Sequence, residues 1–321
     1  NTQVITGSET ITLHNNSPVE MTMIVLKLDH NIFRADVPRG SSRPAETTDG
    51  MVVTRITVNG DLVDLDPIPR PRQRGVQLAP RLEASGLQQT VAYISLANPI
   101  PANSKATLAI DWNTKLPGGE KGNAHRMTQR WQRRLFQPTQ WFPRVAKFDD
   151  LRGWKTQPYL GPAEFFNNFG RFDVKITVPA GWLVSGTGVL QNPENVLMAP
   201  IRARIAKITD SDDEITIVGE DERGAGKATT TGESLTWHYM AEQVNDFAWA
   251  TSNDFIWKAT RATIPGKGEI PIHMFYLPER ADRFARAGEL GRHALEFYSN
   301  LWAPYAFPQL TFQDGPSAGM E

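Results

Sequence analysis

From Ile5 to Met240 the chain offers one short alternating run after another, separated by turn formers and never by a helical spacer. A period of two puts successive side chains on opposite faces of a strand, so a chain patterned this way is directed towards antiparallel sheet. Ile5 to Leu13 alternates, most clearly over Glu9-Thr10-Ile11-Thr12-Leu13, and then meets the turn-forming run Asn15-Asn16-Ser17-Pro18. Met21 to Leu28 is the next apolar run. Val52 to Val58 passes through Asn59-Gly60 into Asp61-Leu62-Val63, and Asn-Gly between alternating runs signals a tight hairpin because both residues tolerate positive φ. Val91 to Leu96, Thr107 to Trp112, Phe172 to Val178, Ile215 to Val218 and Leu235 to Met240 continue the series.

The period changes after Pro278. From Ala281 to Leu301 the apolar or small positions Phe284, Ala287, Gly288, Gly291, Ala294, Leu295, Tyr298 and Leu301 recur at spacings of three and four, which predicts an amphipathic helix. Pro304 and Pro308 end it, and Leu310-Thr311-Phe312-Gln313 reads as a short strand. With Ile270 to Leu277 as the preceding strand, the order strand, helix, strand predicts a second domain. The expected division is residues 1–255 and 256–321.

With 321 residues, 40% of them hydrophobic and 21% charged, the chain is long enough to bury a substantial core. Its formal net charge of -1 supplies no global field for nucleic acid or an anionic membrane. The absence of cysteine excludes disulfides, thiolate metal sites and a cysteine nucleophile. No stretch approaches the roughly 20 apolar residues of a membrane span. Asn1 opens directly on a polar, strand-like run without a basic and apolar leader, so a trimmed or processed N-terminus is expected.

Few residues of the chain stand in a pattern that carries chemistry. The six histidines, His14, His30, His125, His238, His273 and His293, include no H-E-x-x-H pair. His293 lies on the predicted helix, but Glu289 and Phe297 stand four residues to either side, which favours a structural or solvated role. Lys121, His125, Arg126, Arg130, Arg133 and Arg134 surround Trp131, and at this net charge they read as a solvated loop rather than a nucleic-acid patch. Asp210 to Glu214 carries alternate carboxylates but lacks the glycine and distal glutamate of a calcium loop, and reads as a turn. Gly315-Pro316-Ser317-Ala318-Gly319 has the form of a nucleophile elbow, but no strand-helix alternation precedes it and no helix-forming run follows.

Four segments carry a resemblance. Leu310 to Glu321 resembles the strand and loop bearing the G-x-M-E-N signature of aminopeptidase-N-like zinc metallopeptidases, with Ala318-Gly319-Met320-Glu321 on its first four positions. The stretch Gln137-Pro138-Thr139-Gln140-Trp141-Phe142-Pro143 to Asp149-Asp150 is similar to the family's segment in which a Thr-Gln pair precedes a Pro and an acidic dipeptide. Phe172 to Trp182 and Asp246 to Ala250 look like its strand signatures. Ala318 departs from the glycine of the first motif position, and the asparagine position falls after Glu321.

The resemblance implies a mainly β fold, with a large antiparallel β-saddle domain followed by the first strand-helix-strand of a thermolysin-like α+β catalytic domain. It implies that Glu321 recognises the free α-amino group of a peptide, that the Gly319 backbone approaches the substrate beside Ala318 and Met320, and that Gln140 faces the first substrate side chain. Zinc would be bound by the parent enzyme through a downstream H-E-x-x-H helix and a later glutamate, leaving this portion without metal and inactive alone. Partners expected on this reading are a peptide with a free N-terminus and the downstream catalytic domain, with no nucleic acid and no transmembrane segment. An exported or periplasmic location is expected over a cytoplasmic one. A non-catalytic relative serving as a binding module, and an ordinary β-sandwich module with a helical tail, are the alternatives left open.

Overall fold

The computed structural model describes residues 3–44, 46–70, 79–118, 127–131 and 134–315. Tertiary contacts divide the chain into two compact units, one made of Asn1–Gln129 with Thr139–Asn168 and the other of Arg130–Pro138 with Phe169–Glu321. The fold is mainly β and its sheets are predominantly antiparallel, as the alternation predicts.

In the first unit the strands are β1 (Val4–Asn15), β2 (Met21–Lys27), β3 (Met51–Val58), β4 (Asp61–Leu62), β5 (Glu83–Ser85), β6 (Val91–Ile100), β7 (Ser104–Lys115) and β8 (Arg144–Val145). They form two four-stranded sheets, ordered β1-β7-β3-β4 and β8-β2-β6-β5. The β1–β7 ladder runs unbroken from Val4 opposite Lys115 to Asn15 opposite Ser104. Ile24, Leu26, Leu28, Ile56, Ile94, Leu108 and Ile110 are fully buried and supply the core of this unit. Asn59 and Gly60 adopt φ of 53° and 94°, the double positive φ that the hairpin between β3 and β4 requires. Gly7 faces Trp112 across the β1–β7 ladder so closely that a Cβ would collide with the indole ring. That face of the sheet is thus built around one large aromatic side chain and the gap left opposite it.

The second unit contains β9 (Gly170–Pro179), β10 (Leu183–Gly186), β11 (Val189–Leu190), β12 (Ile215–Val218), β13 (Ser234–Val244), β14 (Trp249–Ser252), β15 (Ile256–Ile264), β16 (Gly268–Tyr276) and β17 (Leu310–Gln313). Its helices are α1 (Pro193–Val196), α2 (Ala199–Ile205), α3 (Ala281–Phe284) and α4 (Ala287–Leu301), and α1 and α2 interrupt the strand series between β11 and β12, where the sequence reading expects no helical spacer. One sheet is ordered β9-β13-β11, and another joins β10 and β14 to the short strands Leu135–Phe136 and Arg130–Trp131. The last is ordered β12-β15-β16-β17 and draws strands from both sides of residue 255. β17 runs parallel to β16, from Ile272 opposite Leu310 to Phe275 opposite Gln313. A parallel neighbour needs a crossover connection, and α3 with α4 provides it.

The strand, helix and strand expected after residue 270 are present, with two differences in the helix. It is interrupted, because Arg286 takes φ -117° and ψ 7° and separates α3 from α4. The buried face is also narrower than the periodicity predicts. Gly288, Gly291, Leu295 and Ser299 face the sheet, whereas Tyr298 and Leu301 are 51% and 55% exposed. Small residues cause this: a Cβ on Gly291 would meet the Phe312 ring at 2.5 Å, so the glycines let the helix sit close to the strands and turn the larger side chains outward.

Candidate functional site

Gln140 is held by a chain of buried polar groups that begins far from it in sequence. The Gln129 side chain is fully buried and donates from Nε2 to the Thr139 carbonyl at 3.1 Å and to Thr139 Oγ1 at 2.9 Å. Its Oε1 therefore faces His30 Nε2, 3.3 Å away. His30 Nδ1 lies 2.7 Å from the Thr114 hydroxyl, which also reaches the Gly50 carbonyl at 2.8 Å and has one proton for the two contacts. Burial depresses the His30 pKa to about 4, which keeps the ring neutral and the chain intact at neutral pH. Thr114 on β7, His30 after β2 and Gln129 together fix the position of Thr139, the residue before Gln140.

Gln140 itself has φ 48°, is 7% exposed, and keeps Oε1 buried without a hydrogen-bond partner among the described residues. A non-glycine residue in the left-handed region costs about 1–2 kcal/mol, and an unmatched buried carbonyl adds to that. Both costs are held at one residue by its surroundings. Trp141 packs on Trp112 and on Phe142, with ring centroids 5.9 and 4.7 Å apart. The Arg144 guanidinium lies over Phe142 at 4.8 Å and Phe165 at 5.7 Å.

Carboxylates enter the same unit under strong desolvation. Part of Glu9 reaches solvent, but its Oε1 is buried without a hydrogen-bond partner among the described residues. Burial pushes its pKa well above the ordinary carboxylate range, and the Arg144 charge only partly opposes that. Asp29 is raised by burial too, against the Lys27 ammonium 3.6 Å away.

In the second unit, β17 leads directly into the residues expected to carry the signature. Asp314 anchors that exit: its amide donates to the Phe275 carbonyl at 2.8 Å and its Oδ2 accepts the Leu277 amide at 3.1 Å. Burial raises its pKa, opposed by the Leu277 bond. A Cβ on Gly315 would meet Gln137 Oε1 at 2.7 Å, so the chain passes tightly over that side chain. Ala318, Gly319, Met320 and Glu321 lie outside the described residues.

Among the described residues no group of three or more His, Asp or Glu side chains is placed to hold a metal ion. Among the same residues no helix is long and apolar enough to cross a membrane. The positioning residues His30, Thr114 and Gln129 were not marked by the sequence, because each is an ordinary polar residue in an unremarkable run.

No protein-family profile matches the chain, and no curated protein matches it in sequence. Among solved structures it is similar to the M1 zinc metallopeptidase from Deinococcus radiodurans, with 12% identity and a TM-score of 0.46, over 95% of this chain and 51% of that one. It is also similar to a variant of a two-domain M1 zinc metallopeptidase bound to L-arginine, with 12% identity and a TM-score of 0.47, over 96% of this chain and 52% of the other. The chain spans about half the length of these structures. Likeness at this level leaves the reaction to be argued from the residues.

Proposed function

We propose that the chain is the N-terminal portion of a zinc-dependent aminopeptidase, with residues 256–321 opening the catalytic domain and the zinc ligands supplied further along the polypeptide. In this reading Glu321 pairs with the α-ammonium of a peptide, a charge-assisted contact that restricts cleavage to the first peptide bond. Gln140 presents its carboxamide to the first side chain. Gly319, without a Cβ, lets the backbone approach the substrate between Ala318 and Met320.

The observation that carries the reading is Gln140. A glutamine at φ 48° with a buried, unmatched Oε1 is a poor choice for stability alone, and such costs collect where a ligand uses the group. The test uses the polypeptide extended past Glu321. Glu321→Ala should lower kcat/KM for free-amine peptides by a few kcal/mol of transition-state stabilisation while leaving N-acetylated peptides nearly unchanged. Gln140→Gly relieves the positive φ but empties a buried side-chain position, so its readout is the preference among first side chains, which should change. Wild-type activity in Glu321→Ala sinks the amine-anchor assignment.

A further inference from the structure

Between β2 and β3 the chain walls a depression of about 440 Å³ in the first unit. Val37 and Pro44 supply its apolar lining, and Arg39, Ser42, Arg43 and Thr47 its polar lining, so two guanidiniums and two hydroxyls share it with no carboxylate. Packing within the unit holds this wall in place. The Gly40 amide donates to the Leu160 carbonyl at 2.8 Å, and a Cβ on Gly161 would meet Ser42 Cβ at 2.6 Å.

Arg39 gives the lining its chemistry. Its Nη1 donates to the Ile32 carbonyl at 2.8 Å and to the Arg34 carbonyl at 2.5 Å, which uses both Nη1 protons and fixes the guanidinium to backbone. Left open is the opposite edge, where Nε–H and one Nη2–H point the same way. That edge is the fork that binds two oxygens of one oxyanion. Among the described residues neither Nε nor Nη2 meets an acceptor or a carboxylate. The acids closest in sequence are engaged elsewhere, Asp36 with Arg34 at 3.3 Å and Glu46 with Lys115. The Ser42 and Thr47 hydroxyls also have no protein partner among the described residues.

A charge fixed by backbone, with its fork open and two hydroxyls in the same concavity, selects an anion with several acceptor oxygens. A carboxylate fills the fork and leaves the hydroxyls over. A phosphate monoester carries about -1.5 to -2 charge near neutral pH and three acceptor oxygens, enough for the fork and the hydroxyls together. The volume falls within the roughly 300–1,000 Å³ of small-molecule sites and leaves room for the group that bears the phosphate.

We propose that this depression binds a phosphate group, free or as a small monoester, through the Nε–Nη2 edge of Arg39 and the hydroxyls of Ser42 and Thr47. The test is titration calorimetry of the 321-residue chain with inorganic phosphate, glycerol 3-phosphate and acetate, at one ionic strength set with potassium chloride. Both phosphates should bind at a single site and acetate about tenfold more weakly or less; the tighter of the two phosphates names the source. Arg39→Lys keeps the charge and its reach to the Ile32 and Arg34 carbonyls but loses the fork, and should weaken phosphate binding about tenfold. Thr47 is exposed, so Thr47→Val should weaken binding a few-fold while the melting temperature without phosphate stays unchanged. That variant keeps the test decisive even if Arg39→Lys fails to fold. Heats no different from those of added chloride overturn the proposal, as does phosphate binding that Thr47→Val leaves at wild-type strength. Acetate bound as tightly as phosphate overturns the choice of phosphate.

Discussion

Trp257 Nε1 donates to His273 Nδ1 across 3.2 Å, with both residues buried in the β12-β15-β16-β17 sheet. The bond leaves Nδ1 as acceptor and requires the neutral imidazole, and burial lowers the His273 pKa from 6.5 to about 4. His30 in the first unit is lowered to the same value by the same cause. Between pH 6.5 and about 4 the unfolded chain takes up protons that the folded chain refuses. Stability should therefore be complete above the unfolded value and fall as pH drops, by an amount on the order of 3 kcal/mol for each histidine. Melting temperature measured from pH 7.5 to 4.5 should decline, and His273→Gln should flatten part of that slope. A variant with the wild-type slope would show that His273 titrates normally.

Glu9 gives the opposite pH dependence. Its raised pKa means the folded state holds the proton more tightly than the unfolded state, so its contribution is complete below the unfolded value and is lost as pH rises through the folded one. Glu9→Gln removes the need to bury a charge and should stabilise the protein at pH 7.5 by about 1 kcal/mol or more. The advantage should vanish near pH 4. A destabilised variant at neutral pH would mean that attraction to Arg144 outweighs desolvation.

Arg204 and Glu222 form a two-pronged pair at 2.6 and 2.7 Å, with Gly219 also donating to Glu222 Oε2 at 3.0 Å. The Arg204 bonds, then the Gly219 amide, draw the Glu222 pKa down to about 2. This contribution is present above the unfolded value and lost as pH falls towards 2. Both side chains are more than a third exposed by solvent access, at 35% and 39%, so screening limits the pair to about 1 kcal/mol. Glu222→Gln should lower the melting temperature slightly at neutral pH in low salt, and less in high salt. An equal loss at both salt concentrations would assign the effect to hydrogen bonding alone.

Gly291 sets two principles against each other. Alanine is the better helix former by about 1 kcal/mol. A Cβ there, however, would sit 2.5 Å from the Phe312 ring, and overpacking costs about 1–3 kcal/mol. Gly291→Ala should lose stability in urea denaturation, and Gly291→Ala with Phe312→Leu should recover part of it. Stabilisation by the single change would show that α4 can move off β17 without cost.

Strands and tight turns were legible because their signals are local. The alternation from Glu9 to Leu13 and the Asn59-Gly60 pair each carry their instruction within a few residues, and the ladder β1–β7 and the β3–β4 hairpin follow them. For the candidate site the sequence pointed to Gln140 only by resemblance, and Ala318 to Glu321 belong to residues whose structure is not described. What tertiary structure alone decided is pairing over distance. His30 meets Thr114 and Gln129 across 84 and 99 positions, and the β12–β15 ladder pairs strands from both sides of residue 255. The exposed face of α4 belongs with these, since helical periodicity marks apolar positions but cannot say which of them the sheet will cover. That choice was made by glycines at 288 and 291, where the absence of a side chain let the helix approach, and a contact made by missing atoms leaves no apolar signal in the sequence.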